Sequence, residues 1–197
     1  MKRVSFIILT LIMTVQLLAM FGSTSAYFVD TERSVNNRLT AWVTETVTLL
    51  TDGFEGSPWD GNWNGNGTTA WVRTSSTKHA GSYAAQSTKT AHGFLTSDNL
   101  DTSPALSMTV TFWFNPKSLE AGDTIIQRYN GSSYVNWYDV TAYPTYRNNQ
   151  WNQFSETITD AQYFTGSFRL RFNSTALVDN GEDITIDDVV ITIVRER

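Results

Sequence analysis

The sequence predicts an all-β chain folded as a two-sheet antiparallel β-sandwich of jelly-roll type. Three observations predict it. Leu106, Met108, Val110, Phe112 and Phe114 alternate with Ser107, Thr109, Thr111 and Trp113, the period of a strand with one face on a core. About ten such short runs follow one another, separated by Gly, Asn and Pro turns. No stretch keeps an apolar stripe at helical spacing for three turns, so the crossover helices of a parallel sheet are missing.

The first 26 residues stand apart from that pattern. Lys2 and Arg3 precede an apolar run from Val4 to Phe21, and Gly22-Ser23-Thr24-Ser25-Ala26 supplies small residues for cleavage. This predicts an export signal over residues 1–26, removed by a signal peptidase. The run is also just long enough to span a bilayer uncleaved. No second apolar stretch of that length follows, so a cleaved chain has no expected membrane anchor and is expected to be secreted or held at the cell surface. Removing Lys2 and Arg3 leaves 12 basic against 19 acidic residues and a net charge near −7. That balance, without any basic cluster, argues against nucleic-acid binding. There is no cysteine, which removes disulfides, thiol catalysis and thiolate metal sites together.

Residues 27–41 form an N-terminal extension or exchanged strand, ahead of a sandwich domain over residues 42–197. The apolar run, the Ala26 junction, Tyr27-Phe28-Val29-Asp30-Thr31-Glu32 and the Asn36-Asn37 segment ending in Thr40-Ala41 carry a resemblance. Together they resemble the leader region of the TasA and camelysin class of exported surface or fibre proteins. That resemblance implies export, and it implies that such a segment can be lent to a neighbouring copy as a strand.

The remaining elements follow in order. Ala41 to Leu50 alternates Val43, Glu45, Val47 and Leu49 with threonines and reads as a strand. Asp52 to Trp59 is a turn with embedded aromatics, and Asp60 to Gly67 is composed almost entirely of turn residues, which predicts a loop. Short strands are expected around Trp71 and over Gly93–Thr96, and Lys78 to Gln86 is expected to run from a turn into another strand. The Leu106–Phe114 strand is expected to stop at Pro116. Thr124–Tyr129 and Tyr134–Val140 flank Asn130-Gly131, a hairpin signal. Trp151–Ile158 is the next strand. Phe168, Leu170 and Phe172 alternate with Ser167, Arg169 and Arg171, giving a strand with a basic outer face.

The closing strand, Ile184 to Val194, carries two adjacent carboxylates. Ile184 and Ile186 share one face, whereas Val189, Ile191 and Ile193 share the other, so the apolar phase slips by one at Asp187-Asp188. A β-bulge at the aspartates absorbs such a slip. A bound cation is another way to tolerate charge in a buried strand.

Asp52-Gly53-Phe54-Glu55-Gly56, His79-Ala80-Gly81-Ser82-Tyr83-Ala84-Ala85 and Ile186-Asp187-Asp188-Val189 occur in that order. This set resembles the calcium-stabilised carbohydrate-binding modules and MAM-type domains, whose sandwiches are concanavalin A-like or galactose-binding-like. The resemblance implies a structural Ca2+ held by Glu55 and Asp187, with backbone carbonyls near Gly81 and Ser82. Asp123 and Asp183 are further possible oxygen sources.

Tyr129, Tyr134, Trp137, Tyr138, Tyr143, Tyr146 and Trp151 are interleaved with Asn130, Asn136, Arg147, Asn148, Asn149 and Gln150. Flat rings beside amide and guanidinium donors suit sugars, although half of these rings could equally fill a core. Trp137, Tyr138 and Arg147 are the expected glycan contacts, with Trp59 and Trp63 as further exposed aromatics. No HExxH, phosphate loop or serine elbow is present, and His79 and His92 are the only histidines. Glu120, Glu156 and Glu182 read as surface charge, not as the facing pair a glycosidase needs. The chain is therefore not expected to be an enzyme. Asn66, Asn130 and Asn173 open Asn-x-Ser/Thr sequons at turns or strand ends. The expected function is a non-catalytic surface domain that binds glycan or a surface polymer. The alternative is a structural subunit of a filament or matrix, assembled from copies of itself by exchange of residues 27–41.

Overall fold

The computed structural model describes residues 43–56, 62–65 and 70–197. The export signal, the 27–41 segment, Trp59 and Asn66 lie outside the described residues. The strands are β1 (Thr44–Asp52), β2 (Trp63–Gly65), β3 (Val72–Thr74), β4 (Ala84–Thr88), β5 (Phe94–Ser97), β6 (Ala105–Lys117), β7 (Ile125–Tyr129), β8 (Tyr134–Asp139), β9 (Asn152–Ile158), β10 (Arg169–Asn173) and β11 (Asp183–Glu196). One sheet runs β3-β4-β11-β6-β9, with β1 also on β11; the other runs β2-β5-β10-β7-β8. Every pairing is antiparallel. This is the predicted sandwich. Among the described residues no helix is long and apolar enough to cross a membrane.

β11 is the hub of the first sheet. It pairs with β6 on one edge. On the other edge its first half, Asp183–Ile186, pairs with β4, and its second half, Val189–Glu196, pairs with β1. The change of partner falls at Asp187-Asp188. There the register against β6 shifts, with Asp187 opposite Trp113 and Val190 opposite Thr111. Two residues of β11 thus stand against one of β6, and Asp188 takes a left-handed φ of 50°. The bulge turns Ile184 and Ile186 inward on one side of it and Val189, Ile191 and Ile193 inward on the other, all of them buried. The phase slip in the sequence is this bulge.

Aromatic rings join the two sheets. Phe112 of β6 stacks on Phe154 of β9 at 4.5 Å and meets Phe172 of β10 edge-on at 5.0 Å. Leu95, Ile126, Leu170, Met108 and Val110 fill in around them. Truncating any one of these phenylalanines to alanine costs about 3–5 kcal/mol.

Two expectations are corrected. β6 runs through Pro116 to Lys117 instead of stopping at the proline. Pairing with β9 ends at Phe114–Asn152, so Pro116 stands past the last pair of that edge, where its carbonyl accepts from Asn149 N and no N–H is called for. The Asp60–Gly67 loop contains a short edge strand, β2, paired to β5. Its Trp63 is a core residue, only 5% exposed. The indole Nε1 donates to Asp52 Oδ2 at 2.9 Å, and its ring packs on Phe54 and Phe172. Asp52 also accepts from the Phe54 amide and Asn62 Nδ2, so a buried carboxylate outweighs a run of turn residues.

Candidate functional site

Directly opposed residues in an antiparallel sheet share a face. In the second sheet, Leu95, Phe172 and Ile126 point into the core and their neighbours point away. The outward row runs Asn64, Thr96, Arg171, Gln127, Asn136 across all five strands. A second outward row holds Arg169, Tyr129 and Tyr134. Arg171 Nε donates to Gln127 Oε1 at 2.8 Å, and Gln127 Nε2 donates to Asn136 Oδ1 at 2.7 Å. The Arg171 guanidinium lies 3.3 Å from the Tyr134 ring centroid and 4.3 Å from that of Phe94. Arg169 lies 4.5 Å over Tyr129. Burial draws Arg171 below its usual pKa, and the nearby Arg169 charge acts in the same direction.

Where this face meets β2 and β5 there is a pocket of about 270 Å³, lined by Asn64, Thr96, Ser97, Asp98, Asn99 and Arg169. Asn64 Nδ2 donates to Asp98 Oδ1 there. Arg169 Nε is buried without a hydrogen-bond partner. The face thus brings rings, amides and guanidinium groups together.

Of the expected glycan contacts, Trp137, Tyr138, Arg147 and Trp63 do not join these rows. Tyr138 stands opposite Ile126, on the inward side, because β8 carries an extra residue, Trp137, between Asn136 and Tyr138. Both rings are half-buried and meet Phe154 edge-on, at 5.2 Å for Trp137 and 5.5 Å for Tyr138. Arg128 covers Trp137 from 4.6 Å. Arg147 is exposed, with its guanidinium on the Tyr146 carbonyl, and does not join the row. Trp63 is in the core, as described. The rings that do face outward, Tyr129 and Tyr134, belong to the same aromatic-rich stretch. Arg169 and Arg171 were marked by the basic alternation of β10, but only strand register places them beside those tyrosines.

Glu55, Gly81, Ser82 and Asp187 come together on the outer side of the first sheet. The turn from His79 to Tyr83 lies against the bulge. Asp187, 0% exposed, accepts from His79 N at 2.8 Å and Ala80 N at 3.2 Å through Oδ2, and from Asp188 N at 2.8 Å through Oδ1. Glu55 Oε1 accepts from Ser82 N and Tyr83 N at 2.8 and 3.0 Å. Gly81 has φ 57°, and a Cβ there would collide with the Glu55 carboxylate. The backbone bonds from Tyr83 and Ser82 hold Glu55 below the usual carboxylate range. Burial raises Asp187 despite its three amides. His79 closes the group, stacking on Trp113 at 4.0 Å with Nδ1 2.7 Å from Asp188 Oδ2.

These residues fit a hard cation in donor type, and Gly53 leaves a cradle over Asp187 Oδ1 and Asp188 Oδ1 that a side chain would fill. The oxygens of Asp187, however, already face N–H donors. Of the sequons, Asn130 Oδ1 accepts from Ser132 N and Ser133 N, and Asn173 Oδ1 accepts from Thr175 N and Oγ1. Each turn uses the amide oxygen alone.

One carboxylate expectation is corrected. Glu182 is not surface charge; it is 3% exposed. With Glu120 and Asp123 it forms a group in which one carboxylate oxygen of each lies within 4.8 Å of the others.

No protein-family model matches the sequence. No curated protein matches it either. Solved structures do share the fold. The xylan-binding family 22 carbohydrate-binding module of Paenibacillus barcinonensis Xyn10C is 16% identical at a TM-score of 0.50, covering 80% of this chain and 97% of the module. The K3 adhesin domain of Lys-gingipain from Porphyromonas gingivalis is 18% identical at 0.52, covering 75% and 99%. A family 16 carbohydrate-binding module is 12% identical at 0.53, covering 73% and 98%.

Proposed function

We propose that this chain is a secreted, non-catalytic carbohydrate-binding module that holds glycan on the outer face of its second sheet. The observation that carries the reading is the joined row Arg171–Gln127–Asn136 beside Tyr129, Tyr134 and Arg169. Sugar C–H faces stack on the tyrosines while hydroxyls pair with amide and guanidinium groups. The shared fold with a xylan-binding module supports xylan as the first ligand to try.

Affinity electrophoresis through gels containing soluble xylan, mixed-linkage β-glucan or galactomannan tests the reading. At least one polysaccharide should retard the chain. Tyr134→Ala and Arg171→Ala should each weaken that retardation about tenfold or more, the cost of one charged or stacked contact. No retardation in any gel overturns the reading.

A structural calcium ion belongs to the same proposal. It would be held by the Glu55 and Asp187 carboxylates beside the Gly81-Ser82 turn, and would add to the stability of the first sheet.

The open edge of β1 favours a second reading. Among the described residues β1 pairs with β11 alone, and Thr44, Thr46 and Thr48 are exposed along it. An uncovered, β-branched edge is a template for another strand. Under that reading residues 27–41 of one copy add to the β1 edge of the next. Negative-stain microscopy of the mature chain with and without residues 27–41 separates the two: fibres lost on deletion favour assembly.

A further inference from the structure

Glu120 and Asp123 lie in the connection from β6 to β7, and Glu182 lies directly before β11. The two segments are neighbours because Lys117 and Asp183 pair across β6 and β11. Glu182 uses only half of its carboxylate. Oε2 accepts from Val178 N at 3.0 Å and Asp179 N at 2.8 Å. Oε1 is buried and has no partner. Glu120 lies within side-chain hydrogen-bonding reach of Glu182, so a buried carboxylate with an unused oxygen has another carboxylate beside it. Asp123, itself 6% exposed, completes the group, with Oδ2 accepting from Glu120 N at 2.5 Å.

The charges around this group are of one sign. Glu182, Asp123 and Asp179 act on Glu120, while Glu182, Asp139 and Asp179 act on Asp123. The nearby ammonium of Lys117 is paired instead with Asp183 at 3.6 Å. Three carboxylates within 4.8 Å and no cation among them is a costly arrangement for the described chain alone.

We infer that Glu120, Asp123 and Glu182 form a calcium-binding site, distinct from Glu55 and Asp187, that clamps the β6–β7 connection to the start of β11. The donor set is all oxygen and carries three negative charges. That composition selects a hard divalent cation over zinc or copper, which take imidazole or thiolate. Glu120 is exposed, so the site opens to solvent and water can complete the six to eight oxygens calcium takes. Magnesium demands a tighter octahedron and sheds its water reluctantly, so it binds here more weakly.

Isothermal titration of chelator-stripped mature chain at pH 7.5, with CaCl2 and separately with MgCl2, tests the assignment. Calcium should bind with a Kd on the order of 10⁻⁴ M, as in extracellular modules. Glu120→Gln removes an exposed ligand without disturbing the bonds of Glu182 Oε2, and it should weaken that binding at least tenfold. In a Glu55→Gln background, which disables the other proposed calcium site, this binding event should remain, and adding Glu120→Gln should weaken it at least tenfold. A thermal melt run beside each titration should show calcium raising the Tm of wild type and of Glu55→Gln, with a smaller rise for Glu120→Gln. Absence of calcium heat and of any Tm shift in wild type overturns the site and leaves a shared proton as the resolution of the cluster. Calcium binding in Glu55→Gln that the added Glu120→Gln leaves intact overturns it as well. Magnesium binding as tight as calcium overturns the choice of metal.

Discussion

At the bulge of β11 a fully buried aspartate meets three backbone N–H donors, whereas just before the start of the same strand a buried glutamate meets two donors on one oxygen and none on the other. The two regions hold the same kind of side chain at similar depth. They differ in what the neighbouring loop presents. The His79–Tyr83 turn aims amides at Asp187 and Glu55, so the chain itself supplies the compensation. The β6–β7 connection brings further carboxylates, so the compensation must come from outside the chain. The calcium proposed at Glu55 and Asp187 thus adds to a group the chain already satisfies, whereas at Glu182 the mismatch between buried acceptors and available donors itself calls for a cation.

The largest effect expected is at the bulge. Asp187→Ala strips three part-buried N–H groups of their acceptor, and a donor left unpaired costs up to about 1–3 kcal/mol. Urea denaturation should show a loss of about 3 kcal/mol or more. A loss near zero would mean that the 79–83 turn finds other partners, and the contrast between the regions would fail.

Glycine substitutions sharpen the same contrast at smaller cost. Gly81→Ala meets both a left-handed backbone and the Glu55 carboxylate, and should cost about 2–3 kcal/mol. Gly122→Ala, beside Asp123, has φ 99° with open space around it, and should cost only the backbone term, about 1–2 kcal/mol. Chemical denaturation of the pair checks the order. Equal losses would show that Glu55 yields to the new methyl group.

The smallest effect is in pH dependence, measured in chelator. Glu55 is held below its ordinary value by Tyr83 and Ser82. Its contribution is therefore present above the unfolded value and lost as pH falls through the folded one. Glu120 is raised, first by Glu182, and Asp123 is raised by burial. Their protonated forms favour folding, so that stability is present at low pH and lost as pH rises from the unfolded value through the folded one. Denaturation midpoints for Glu55→Gln and Glu120→Gln between about pH 3 and 7 should change slope in opposite directions. Parallel curves would contradict the electrostatic difference between the regions.

Much of the fold was legible because β-strand period is local. The alternation of β6 and the phase slip at Asp187-Asp188 needed no knowledge of partners. β2 was not legible, since Trp63 is drawn inward by Asp52, eleven residues earlier, through a bond that no local pattern encodes. The candidate face was half legible. Arg169 and Arg171 stood out as a basic row, and Tyr129 and Tyr134 lay in the aromatic stretch. Trp137 and Tyr138 looked equivalent to those tyrosines until the extra residue in β8 turned Tyr138 to the inner side. Glu182 looked like surface charge because it sits in a turn of polar residues, whereas that turn folds its own Val178 and Asp179 amides onto the carboxylate.

The most direct test of the carbohydrate-binding reading is an amide NMR titration of the mature chain with a soluble xylo-oligosaccharide. The reading predicts shifts confined to β2, β5, β10, β7 and β8, led by Tyr129, Tyr134, Arg169 and Arg171, with β1, β3 and β9 unmoved. Shifts centred on the first sheet, or none at saturating oligosaccharide, would contradict it.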